Sequence, residues 1–231
     1  ASDVYKRQIM EYELIGTIVP AVKCILKPGE AMYTQSGGMM MYTGDINYST
    51  GLRGGVVKSV ARQLLARESA FMTTYYAEKH MGIVIFSTTI PGTIQCLKLE
   101  KGSSMICQKT AFLCAEEQIM ADVVFTKRLR AGLLSGEGFV LQKIYGEGRV
   151  FLEIAGNSII HDLKEGEVLY CNSGNVVAFQ DSVDFDITLV KRMSTLLFGG
   201  EGNFLVKLTG PGKVILQTQN QMQKVKIYEN Q

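Results

Sequence analysis

The chain has 231 residues, 46% of them hydrophobic, and a formal net charge of +2. That length can bury a sizeable core, and so balanced a charge implies no polyanionic partner by itself. Five cysteines, an odd number with no CxxC pair and no dense framework, argue for a reducing, cytoplasmic compartment, and no run of about 18 apolar residues could span a membrane as a helix.

In chain order, residues 1–9 do not join the pattern that follows, and Met10 reads as a natural start, so 1–9 are expected to be a non-native leader. Three similar turns then set the frame: Lys27-Pro28-Gly29-Glu30, Glu100-Lys101-Gly102-Ser103 and Lys164-Glu165-Gly166-Glu167. Glycine serves such turns because it takes φ > 0 without steric penalty. The run Met39-Met40-Met41-Tyr42 offers an adaptable contact surface or, more commonly, a strand with both faces covered. After the Gly54-Gly55 breaker, Val56, Val60 and Leu64 share one helical stripe and Val57, Ala61 and Leu65 the next, which predicts a short helix over 56–66.

A phrase with a basic start, a Leu-Leu pair, an acid and a Phe then recurs. Residues 58–71 read KSVARQLLARESAF, 127–139 read KRLRAGLLSGEGF and 191–204 read KRMSTLLFGGEGNF. Apolar strands follow glycine turns at Gly146-Glu147-Gly148 and Gly210-Pro211-Gly212, with Pro91-Gly92 as the first counterpart. Val150, Leu152 and Ile154 face one way and Glu153 the other. Val183, Phe185, Ile187 and Leu189 alternate with Asp184, Asp186 and Thr188, and Phe204, Val206 and Leu208 with Leu205, Lys207 and Thr209. Period-two alternation between glycine turns predicts half-buried antiparallel strands. The expected fold is all-β, of sandwich, jelly-roll or barrel type, with at most one or two short helices. It is expected as three similar repeated units, 10–93, 94–157 and 158–220, before a C-terminal tail or edge strand at 221–231.

Chemistry is sparse. The only histidines, His80 and His161, stand far apart in sequence, too few for the imidazole-rich metal site of a cupin-like enzyme. Cys24, Cys96 and His161 occupy near-equivalent places before the turn glycines, but small residues on half-buried strands explain them better than a shared site. No GxSxG elbow or phosphate loop occurs, and the GxG pairs lack a third glycine and a following helix. Catalytic, cofactor and metal residues are therefore expected to be none.

The recurrent polar positions are the candidate ligand or interface sites. Glu68, Glu137 and Glu201 mark either three related binding positions or, the plainer reading, turn carboxylates that accept backbone N–H bonds. Lys127, Arg128, Lys191 and Arg192 form basic patches, either for phosphate contacts or as solvated faces and intersubunit salt bridges.

The phrases LLSGEGFVLQKIYGEGRVFLEIAG (133–156) and FGGEGNFLVKLTGPGKVILQTQN (198–220), with the run Ala111–Ala115, resemble the altered-inheritance-of-mitochondria family, number twenty-four, over about residues 10–220. The first unit departs, with Arg67-Glu68-Ser69 in place of Gly-Glu-Gly. The resemblance implies three short double-stranded β-helices similar to the tryptophan RNA-binding attenuator protein, which forms rings and binds RNA. It implies no agreed activity or catalytic residues, and fold kinship alone does not transfer RNA binding.

The expected function is a non-catalytic oligomeric β-repeat scaffold or binding module, with self-association because open sheet edges invite pairing, and with an unidentified protein partner. Nucleic-acid binding through the basic patches is the alternative. Attachment to a membrane periphery and a cupin-like metal enzyme rank below it.

Overall fold

The computed structural model describes residues 10–52, 71–124, 140–189 and 204–220. Among these the chain is all-β and every ladder is antiparallel, with two single 3-10 turns, Lys109–Ala111 and Ser173–Asn175, as the only helical elements. The helix predicted over 56–66 lies outside the described residues.

Strands β1 (Glu11–Ile15), β2 (Ala21–Leu26), β3 (Ala31–Gln35), β4 (Met39–Leu52) and β5 (Phe71–Ser87) open the fold. Strands β6 (Gly92–Leu99), β7 (Ser104–Gln108), β8 (Phe112–Glu116), β9 (Met120–Val123), β10 (Leu141–Tyr145) and β11 (Gly148–Ala155) follow. Strands β12 (Ser158–Leu163), β13 (Val168–Cys171), β14 (Val176–Gln180), β15 (Asp184–Leu189), β16 (Phe204–Thr209) and β17 (Gly212–Gln217) complete it.

These strands make three sheets. The first has eight strands, in the order β1-β2-β5-β3-β8-β11-β6 with β4 on the far edge of β5. The second runs β12-β17-β14-β7-β10-β9 and the third β13-β16-β15. One pairing scheme occurs twice, strand for strand. In the middle segment β11 pairs β6 and β8, and β10 pairs β7 and β9. In the last, β17 pairs β12 and β14, and β16 pairs β13 and β15. At the N-terminal end the long β4 and β5 span the corresponding places as single strands, β5 taking β2 and β3 on its other edge.

The first sheet nearly closes on itself. Tyr12 of β1 meets Phe151 of β11 edge-on at 5.0 Å, and the Arg149 guanidinium lies over the Tyr12 ring. Arg149 Nη1 donates to Met10 O at 2.7 Å and pairs with Glu116 Oε1 at 3.4 Å. Gly92 N donates to Ile18 O across the same seam. Partly shielded arginine serves here because its fork holds several acceptors at once.

Three apolar clusters fill the molecule. The first joins Val22, Cys24 and Leu26 to Val84, Phe86, Leu113 and Phe151. The second joins Cys107, Phe112, Ile144, Val150, Leu152 and Ile154 to Val177 and Ile215. The third gathers Ile106, Phe179, Val206, Leu208 and Val214. Strand β11 therefore corrects the half-buried expectation: Val150, Leu152 and Ile154 enter the second core while Phe151 enters the first. Strand β14 behaves likewise, with Val177 in the second core and Phe179 in the third. A sheet covered on both faces loses the clean alternation that a one-sided sheet shows.

The Met39–Tyr42 run is a second correction. It does not have both faces covered: Met40, Met41 and Tyr42 are exposed on the outermost strand. Farther along, β5 makes an excursion at Glu78–Met81, skipped in the pairing between Ala77 and Gly82. The Asp45 carboxylate accepts there from the backbone N–H of Lys79 and of His80, both at 2.8 Å, and these bonds hold its carboxyl below the usual range.

Candidate functional site

A cavity among the described residues carries a buried carboxylate. It measures about 280 Å³ and lies between the β3–β4 turn, the segment around the first 3-10 turn, and β11. Thr34 and Gln35 end strand β3, and both side chains donate to backbone carbonyls of the neighbouring segment. The Thr34 hydroxyl donates to Leu113 O, and the Gln35 amide donates to Lys109 O at 2.8 Å and Phe112 O at 3.0 Å. Glu153 sits opposite, buried in β11. Its carboxylate accepts from Thr89 N at 2.8 Å and from Thr89 Oγ1 at 3.1 Å. No cation neutralises it among the described residues, so burial lifts its carboxyl above the ordinary range, the Thr89 bonds offsetting this in part.

This geometry gives a shaped polar cleft. The other polar groups lining the cavity are hydroxyls and an amide. Gln217 shows what its place in the strand asks for. It stands five residues after Gly212, as Glu153 stands five after Gly148. Its amide donates to Gly174 O at 2.8 Å while its oxygen accepts from Ala155 N at 3.0 Å.

Glu153→Gln is accordingly expected to be at least as stable as the parent at neutral pH. A carboxyl whose folded pKa is raised contributes most below its unfolded pKa, and that contribution is lost as pH rises through the folded value. The gap between variant and parent should thus close as the solution is acidified below the carboxyl range. Urea unfolding at a series of pH values measures it; a variant less stable than the parent at neutral pH would show that the fold needs the charge.

Burial pushes Cys107 and Cys171 up to about 12 and raises Cys114 well above its ordinary value, so these remain thiols at neutral pH. Cys24 and Cys96 do meet in the first core, near Cys114, but His161 is exposed on β12 in another sheet. No group of three or more His, Cys, Asp or Glu side chains that could hold a metal occurs among the described residues.

The sequence-predicted positions Glu68, Glu137, Glu201, Lys127, Arg128, Lys191 and Arg192 all lie outside the described residues. Glu153 was not singled out by the sequence, which set it only on the face opposite Val150, Leu152 and Ile154. A signal that was present was also missed: Gln35, Gln108 and Asn172 each stand six residues after a turn glycine. Gln35 and Gln108 prove to be latches between segments, the Gln108 amide donating to Ser173 O at 2.8 Å.

The fold is similar to the crystal structure of protein SPYM3_0169 from Streptococcus pyogenes. The match has a TM-score of 0.74 at 21% identity and covers 96% of this chain and 99% of that one. Among curated proteins nothing matches significantly. The family model described as mitochondrial biogenesis AIM24 matches residues 12–219, nearly the whole described fold. With its turns, paired strands and family pattern in agreement over that length, the chain belongs to the mitochondrial biogenesis AIM24 family.

Proposed function

We propose that the chain is a non-catalytic, self-associating β scaffold made of three similar units of double-stranded β-helix type, acting in a reducing, cytoplasmic setting. The observation that carries this reading is how the segments are joined. Strand β3 pairs β8 of the next segment, and β7 pairs β14 of the one after, so the chain holds itself together by edge-to-edge pairing. The outer strands β4 and β13 are left at sheet edges. Five free thiols suit the reducing setting. The function then resides in surfaces that join copies or hold an unidentified protein partner.

Native mass spectrometry of the untagged protein tests this. A homo-oligomer of bare subunits is expected. A monomer at high protein concentration would overturn self-association. Co-purifying nucleic acid would favour the alternative, in which Lys127, Arg128, Lys191 and Arg192 contact phosphates, with affinity falling steeply as salt rises.

A further inference from the structure

Inside the chain one joint is built twice, in the same register. Counted from the turn glycines Gly29 and Gly102, the third, fourth and fifth residues are Met32, Tyr33, Thr34 and Met105, Ile106, Cys107. Met32 pairs Glu116, Tyr33 pairs Ala115 and Thr34 pairs Cys114. Met105 pairs Gln180, Ile106 pairs Phe179 and Cys107 pairs Ala178. On the receiving side both β8 and β14 carry a bulge, at Leu113 and Val177, where the pairing with β11 and β17 skips one residue. Each bulged side chain enters the core of the preceding segment: Leu113, 3% exposed, the first core, and Val177, 1% exposed, the second. Bulges aim side chains in this way.

Both halves of this joint occur once more, at opposite ends of the chain, without partners on their outer edges among the described residues. The giving half is β13, whose Leu169, Tyr170 and Cys171 hold the same places after Gly166, with Asn172 where Gln35 and Gln108 stand. The receiving half is the start of β4. Its pairing with β5 skips Met40, between Met39 and Met41, as the pairings of β8 and β14 skip Leu113 and Val177. Here, however, Met40 is 62% exposed, Tyr42 is 42% and Tyr170 is 59%.

We propose that β13 of one copy pairs with β4 of a second copy, head to tail, reproducing the internal joint. The register follows from the two built examples: Leu169 opposite Thr43, Tyr170 opposite Tyr42 and Cys171 opposite Met41. Met40 then enters the third core of the neighbouring copy, as Leu113 and Val177 enter the first and second. The occupant is a second copy because no other partner is specified by the same bulge, register and amide position already used within the chain. Such an interface is heterologous, so its product is a closed ring or an open filament.

The inference rests on the self-association reading, and two variants separate their failures. Met40→Glu blocks the receiving edge and Tyr170→Glu the giving edge; both side chains are exposed in the single chain, so each variant should keep the parent's circular dichroism spectrum, while its melt loses the stabilisation that association gives. In sedimentation velocity the parent should run as an oligomer, each variant alone as a monomer, and their mixture as a one-to-one dimer, because each variant keeps the half that the other lacks. A monomeric parent would overturn both readings. An oligomer unchanged by either variant, or variants that stay monomeric when mixed, would overturn this joint and leave self-association standing.

Discussion

Phe151→Ala should lose about 3–5 kcal/mol of unfolding free energy, the range for truncating a buried aromatic. Phe151 is fully buried, and it reaches the first core from β11, which is flanked by β6 on one edge and β8 on the other. Its ring also meets Tyr12 edge-on, so truncation removes the surface against which β1 seals the sheet. The backbone around it cannot collapse into the void, because Val150 and Leu152 anchor the same strand in the second core. Guanidinium unfolding followed by circular dichroism reads the loss. A loss of under about 1 kcal/mol, as in a site that repacks freely, would show that the first core is looser than its burial implies.

Gly146→Ala is the second large effect. Gly146 has φ +121 in the turn between β10 and β11, a region alanine rarely enters. An added Cβ would also stand 2.4 Å from the backbone carbonyl oxygen of Gln118, which no side-chain rotation relieves. Strain in such a backbone position costs about 1–3 kcal/mol, and displacing the facing chain adds to it. Thermal unfolding should show a drop of several degrees at least, about 4–8 °C for each kcal/mol in a small domain and less in a larger one. Gly29→Ala provides the contrast: it shares positive φ but a Cβ there meets nothing within 4 Å, so only the strain remains.

Much of the fold was legible because the glycine turns and alternating strands carry local signals. Gly29, Gly102 and Gly166 do sit at positive φ in turns between consecutive strands. Alternation at β16 also held, with Val206 and Leu208 buried and Lys207 half-exposed. What escaped was long-range. Nothing local says that β11 will have a core on each face, since Phe151 owes its burial to strands far away in sequence. Nor does the composition of Met39–Tyr42 reveal that the strand is outermost. The site was less legible still: the positions singled out by the repeated phrase lie outside the described residues, and Glu153 acquires meaning only where the β3–β4 turn folds over it.

The sharing of sheets between cores also bears on synthesis. The first core includes Leu113, Cys114 and Phe151, and the second includes Val177 and Ile215. As the chain leaves the ribosome, strands β2 to β5 therefore expose apolar surface until β8 and β11 have emerged, and β7 to β11 wait in turn for β14 and β17. Folding of this kind has each segment completing the core of its predecessor. Nascent chains of this design stay vulnerable to premature pairing with one another for longer than chains whose segments finish independently.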